Sequence, residues 1–172
     1  MKTLLLALAL VALAVPVRAG TPEPGFSDTS VISGLSLPTA IAFLPDGTML
    51  VTEKGGDLLR VDSPTMTTTL TTIPVCTGAE MGLLGIAIDP NYNMNGFVYL
   101  YRTSPDAGCG SAAGRFNQVV RVTVSGNTAG SLTVLLTGIQ TDNGNHDGGV
   151  MRVGPDGKLY VGAGDTGLGL NV

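Results

Sequence analysis

The chain carries a single histidine among its 172 residues, and that histidine stands in a loop crowded with groups that bind or move protons. From Asp142 to Gly167 the sequence reads D-N-G-N-H-D-G-G-V-M-R-V-G-P-D-G-K-L-Y-V-G-A-G-D-T-G, with His146 fifth in the run. An imidazole beside a carboxylate makes a general base, because the carboxylate fixes the tautomer and steadies the cation formed on protonation. Asp165 is the carboxylate that the local pattern supplies. Gly149–Val153 and Lys158–Ala163 are β-type runs separated by Pro155-Asp156-Gly157, which predicts an antiparallel hairpin. His146 stands just before the first run and Asp165 just after the second, so the hairpin brings both to one edge. The plainer reading of the same residues is a solvated loop histidine and an aspartate that caps its own turn.

The elements that must position this pair are strands. Glycine accounts for 25 residues, Pro, Asn and Asp cluster between short β-branched runs, and no stretch after residue 20 holds helical periodicity for three turns. Strands are predicted at Thr39–Leu44, Met49–Glu53, Asp57–Val61, Thr68–Ile73, Leu84–Ile88, Phe97–Thr103, Gln118–Val124, Leu132–Thr137, Gly149–Val153 and Lys158–Ala163, which makes an all-β chain. These strands repeat. Ala40–Gly47 leads into Met49–Thr52, Gly85–Pro90 leads into Phe97–Leu100, and Val150–Gly157 leads into Leu159–Val161, each unit being strand, proline turn, strand. Arg60-Val61 and Arg121-Val122 recur in a later strand of the first two units. The spacing of Pro45, Pro90 and Pro155 suits four-stranded propeller blades with an insertion in the second unit. A β-sandwich is the structural alternative, but it gives no reason for the repeat.

The repeat also selects a second acid. Nine residues before the three prolines stand Ser36, Met81 and His146, and Glu80 is next to Met81. Glu80 and His146 therefore occupy nearly equivalent entrances to the first strand of successive blades, at the mouth of the channel those strands line. A histidine, two carboxylates and glycine-rich backbone at one end of a channel suit a small-molecule site. A plain exposed loop acid is the simpler account of Glu80. One decoy is excluded: Asn143-x-Asn145-x-Asp147-Gly148 opens like a calcium-binding EF-hand loop, but its first position is Asn, its twelfth is Gly154, and its flanks are strands.

Residues 1–19 read as a secretory signal peptide. Lys2 supplies the positive start, Leu4 to Val15 is unbroken apolar chain, and Val17-Arg18-Ala19 ends in small residues suited to cleavage after Ala19. The apolar run is short for a membrane span, so a secreted or periplasmic product is expected, with a retained N-terminal anchor as the alternative. Removing residues 1–19, which hold Lys2 and Arg18 and no acid, takes the formal charge from −4 to −6. With 13 acidic against 9 basic residues and no basic cluster, neither nucleic acid nor an anionic membrane has an electrostatic footprint. Cys76 and Cys109, an even number in an exported chain, favour a disulfide, with two free thiols as the alternative. Two sulfurs and one distant histidine fall short of a zinc ligand set, and no metal site is assigned.

Three stretches of the chain resemble the glucose/sorbosone dehydrogenase family of soluble sugar dehydrogenases that use pyrroloquinoline quinone (PQQ). They are Leu37–Asp62 (L-P-T-A-I-A-F-L-P-D-G-T-M-L-V-T-E-K-G-G-D-L-L-R-V-D), Glu80–Pro90 (E-M-G-L-L-G-I-A-I-D-P) and His146–Asp165. The resemblance implies a six-bladed β-propeller with PQQ and calcium over its channel, of which residues 37–172 are roughly the first two to three blades and residues 20–36 an extended leader. It implies that His146 takes the proton of a sugar hydroxyl while hydride passes to PQQ, that Asp165 is the aspartate beside it, and that Glu80 stands where some members contact substrate. A sugar and an electron acceptor are the implied partners. Val150 departs from the arginine frequent in the family. The family's PQQ and calcium ligands lie in later blades, so they are expected beyond residue 172, and no residue here is assigned to either. The expectation is thus the N-terminal portion of a longer exported dehydrogenase, inactive as an isolated piece. The alternative is a non-catalytic exported propeller that binds carbohydrate or protein.

Overall fold

The computed structural model describes residues 20, 22–110, 115–141, 143–165 and 167. The expected signal peptide over residues 1–19 lies outside the described residues, as does Thr166 of the Gly164–Gly167 block. The chain divides into two units, Met1–Ser30 and Val31–Val172. The described residues between 20 and 36 carry no strand or helix, and all the strands belong to the second unit.

The repeats form three antiparallel sheets. The first is a meander of β1 (Pro38–Phe43), β2 (Met49–Glu53), β3 (Asp57–Ser63) and β4 (Met66–Thr72). The second runs from β5 (Leu83–Ile88) through β6 (Phe97–Thr103) and β7 (Phe116–Ser125), which pairs with both the two-residue β8 (Thr128–Ala129) and β9 (Thr133–Gln140). The third is the hairpin of β10 (Gly148–Val153) and β11 (Leu159–Ala163). These are successive propeller blades: one of four strands, one of five when the two-residue β8 is included, and the hairpin of a third. A two-sheet sandwich is not what the chain builds.

Each proline turn closes by side-chain chemistry that the sequence spells out. The Asp46 carboxylate accepts the Thr48 N–H at 2.9 Å, and Asp156 repeats the bond with the Lys158 N–H at 3.1 Å. In the second blade the turn is longer. There Asp89 accepts the Asn91 N–H at 2.8 Å and the Asn95 amide at 3.1 Å, and it also takes the Tyr99 hydroxyl. The intervening residues wind into a single helical turn, α1 (Tyr92–Asn95), ended by Gly96 in the left-handed region. No apolar periodicity announces so short a helix.

Period-two alternation divides the second blade between its neighbours. Val98 and Leu100 of β6, with Val120 and Val122 of β7, face the first blade and bury Leu50, Leu58 and Leu70. Tyr101 and Val119 face the third blade and bury Met151. Strands β7 and β9 run further than their apolar residues suggest, through Phe116↔Gln140 and Asn117↔Ile139. Asn117 and Gln118 at that end are buried and partnered: Gln118 Oε1 takes two bonds from the Arg102 guanidinium, at 3.0 and 2.7 Å.

The inner strands β1, β5 and β10 lie side by side, and β5 meets β10 at a contact only glycine permits. A Cβ on Gly85 would lie 1.8 Å from the Gly149 carbonyl oxygen. At the same end of the second blade Cys76 and Cys109 are disulfide-bonded, with Cα atoms 5.3 Å apart, tying the loop after β6 to the segment between β4 and β5.

Two outcomes follow from these contacts. Gly85→Ala meets backbone rather than a yielding side chain, so urea unfolding should show a loss near the upper end of the roughly 1–3 kcal/mol typical of overpacking. Replacing both cysteines by alanine frees a chain segment of 33 residues and should cost about 3 kcal/mol in the same measurement.

Candidate active site

Strand ends set the site. The start of β5, the end of β6, the start of β7, the end of β9 and the start of β10 share one edge of the sheets, and the loops between them carry the titratable groups. His146 lies two residues before β10 and Asp165 two residues after β11. Their side chains meet, Nδ1 of His146 standing 2.7 Å from Asp165 Oδ1. Gly164 makes this possible, since a Cβ there would fall 1.8 Å from the His146 carbonyl oxygen.

The contact determines the tautomer. An ionised carboxylate only accepts, so the hydrogen of a neutral imidazole sits on Nδ1 and the lone pair is left on Nε2. The His146 side chain is 61% exposed, which leaves that lone pair accessible. The hydrogen bond and charge of Asp165 hold the imidazole above its ordinary value, and the charges of Glu80 and Asp147 push the same way. Asp165 is held below the usual carboxylate range, first by the Gly167 N–H at 3.0 Å and then by the imidazole.

Glu80 is brought to the same place from the loop between β4 and β5. Its Oε2 accepts the backbone N–H of His146 at 2.6 Å, and its own N–H donates to the Gly144 carbonyl at 2.9 Å. The three residues singled out in the sequence are therefore one cluster. The exposed Val150 packs over Gly162 within the hairpin.

A further group of polar residues behind the histidine was not legible in the sequence. Asp147 is buried, and its Oδ1 accepts from the Asn117 amide at 2.9 Å. The Tyr101 hydroxyl donates to the Asp147 carbonyl at 2.9 Å, and Thr103 Oγ1 meets Asn117 Oδ1 at 2.7 Å. Burial pushes Tyr101 up to about 12, so its hydroxyl keeps the proton it donates. Aspartate and asparagine in a glycine-rich loop read as solvated, and only the packing of β10 against β6 and β7 buries them.

A groove of about 370 Å³ runs along the inner strands β1, β5 and β10. Thr39–Ile41, Leu84–Ile86 and Gly149–Arg152 line it, and none of His146, Glu80 and Asp165 does. No group of three or more His, Cys, Asp or Glu among the described residues could hold a metal ion. The charges acting on the imidazole, those of Asp165, Glu80 and Asp147, are all acidic. An acidic cofactor such as PQQ needs cationic partners, so these three residues are not its cradle.

The sequence model of the Glucose / Sorbosone dehydrogenase family matches residues 35–170. The chain belongs to this family. It is 28% identical over 157 residues to quinoprotein glucose dehydrogenase B of Acinetobacter calcoaceticus, covering 87% of this chain and 33% of that protein. The PQQ-bound aldose sugar dehydrogenase of Streptomyces coelicolor superposes with a TM-score of 0.69 at 35% identity, over 81% of this chain and 41% of that one. The apo form of the soluble aldose sugar dehydrogenase of Escherichia coli gives the same TM-score, 0.69, at 24% identity, over 81% and 41% of the two chains, and shows the shared propeller fold. This family member thus spans about two fifths or less of the length of these relatives.

Asp165→Asn removes the larger cause of the raised imidazole value. The single histidine should then titrate at lower pH, toward the ordinary value near 6.5, in an NMR titration of the ring protons. An unchanged midpoint would mean that the contact is not made in solution.

Proposed function

We propose that this chain contributes the proton-accepting side of an exported, PQQ-dependent aldose dehydrogenase. The observation that carries the reading is the 2.7 Å contact between His146 Nδ1 and Asp165, which leaves Nε2 as an exposed base. Oxidising a sugar hydroxyl to a carbonyl removes one proton from oxygen and one hydride from carbon. His146 Nε2 takes the proton, and Asp165 stabilises the imidazolium that results. Glu80 is exposed, and Oε1, the oxygen not engaged with the His146 N–H, accepts a hydrogen bond from another hydroxyl of the sugar. The hydride needs a two-electron acceptor, the part that PQQ plays when bound. Because Asp165, Glu80 and Asp147 are all acidic, the cationic partners of such a cofactor would lie away from this cluster. The leader over residues 1–19 fits export, and the dehydrogenase identities of the relatives support the substrate class.

The sign of the pH dependence follows from the raised imidazole. The base works when neutral, so turnover should rise with pH through the His146 value and level off above it. That rising limb lies above the ordinary imidazole range.

The decisive variant is His146→Ala, made in a chain that also carries the relatives' remaining blades and is loaded with PQQ and calcium. Sugar-dependent dye reduction should fall by about 10²–10⁴-fold, the usual contribution of a general base, with PQQ binding retained. Turnover that survives the substitution removes the base assignment, whereas a parent protein that turns over no sugar at all favours a propeller that binds carbohydrate or protein without reacting.

A further inference from the structure

Glu80 does something to His146 that a substrate contact does not require. His146 has φ 55°, a left-handed backbone that a non-glycine residue adopts only when its surroundings impose it. Its N–H is fixed by Glu80 Oε2 at 2.6 Å, and its carbonyl oxygen is pressed against the Cα of Gly164. The residue is thus gripped at both ends of its backbone. Glu80 is in turn held on two sides. Its N–H donates to Gly144 O at 2.9 Å, and the preceding Ala79, itself left-handed at φ 49°, receives the Lys54 ammonium on its carbonyl oxygen. Lys54 belongs to the first blade, whose Lys54 carbonyl accepts the Leu83 N–H at 3.1 Å. A chain of contacts therefore runs from the first blade through Glu80 to the histidine.

We infer that Glu80 is a positioning residue, whose carboxylate holds the His146 backbone in the left-handed conformation that aims Nδ1 at Asp165. This rests on the reading of His146 as the base. The physical reason is local. Without an acceptor the His146 N–H loses its partner, and the backbone relaxes toward negative φ. That rotation swings Cβ, and with it the imidazole, away from Asp165. The role depends on reach as well as on the acceptor. Aspartate keeps the charge but is shorter by one C–C bond, about 1.5 Å, and cannot close the 2.6 Å contact. Glutamine keeps the length and an acceptor oxygen while losing the charge.

Because the chain has one histidine, the test needs neither sugar nor cofactor. In the 172-residue chain, ring ¹⁵N shifts and a pH titration of His146 are recorded for wild type, Glu80→Gln, Glu80→Asp, Glu80→Ala and the reference Asp165→Asn. Glu80→Gln should keep the Nδ1–H tautomer of wild type. Glu80→Asp and Glu80→Ala should both lose it, titrate as Asp165→Asn does, and lose hydrogen-exchange protection at the His146 amide. If Glu80→Ala is not folded by circular dichroism, the Asp and Gln variants decide between reach and charge by themselves. Wild-type behaviour in Glu80→Asp and Glu80→Ala overturns the inference and leaves Glu80 as a substrate contact. Loss in Glu80→Gln with Glu80→Asp unaffected overturns it too, by showing that charge rather than reach acts on the ring. Since the readout is the imidazole itself, a histidine that proves not to be catalytic leaves this measurement standing, and the reverse also holds.

Discussion

The close approach of β5 and β10 is the constraint on which the rest of the structure depends. Gly85 faces the Gly149 carbonyl at a distance that excludes any Cβ. Inner strands this close let the wider outer parts of the blades fan apart, and the gap is filled by side chains of two alternating sets. Val98 and Leu100 fill one side of the second blade, and Tyr101 with Val119 fill the other. Sheet twist and strand alternation then leave little freedom in where the third hairpin sits. With the hairpin placed, the loop before β10 has one position, at the shared edge where strands of the second blade end.

That loop is held by polar contacts rather than apolar ones. Tyr101 and Asn117 grip Asp147 from inside, and Glu80 takes the His146 N–H from outside. Successive residues are anchored to different elements, His146 to the loop before β5 and Asp147 to β6 and β7, which is how a short, glycine-rich segment becomes a fixed platform. Left-handed backbone at His146 and Ala79 is the cost of this arrangement, and the blade packing around them supplies what maintains it. The disulfide between Cys76 and Cys109 lies at the same edge and limits how far the loops there can part.

The electrostatics of the site are one-sided. Asp165, Glu80 and Asp147 all favour the charged imidazole, so the group is set up to accept a proton and to be stabilised once it has done so. The same charges repel anions. On the proposed function, proton acceptance and the binding of an acidic cofactor call for different parts of a propeller.

The sequence by itself determined the strands, the proline turns and the blade repeat, because these depend on contacts between near neighbours. Asp46 and Asp156 close their turns two residues away, and alternation of Val98, Tyr99, Leu100 and Tyr101 assigns each to a face. It also determined that His146 and Asp165 come together, since one hairpin joins them and pairing in β10–β11 brings its ends into register. Strand ends were less legible: β7 and β9 extend through Asn117, Gln118 and Gln140, and the two that are buried, Asn117 and Gln118, are satisfied by Asp147, Thr103 and Arg102. What only the tertiary structure decided was the partnership of residues in different blades. Glu80 and His146 are 66 residues apart, and no local pattern shows that a carboxylate will meet a backbone N–H instead of solvent. Asp147 reads as a surface residue until β10 packs against Tyr101 and Asn117. Burial is a property of the assembled sheets, and these two acids acquire their partners only when the blades come together.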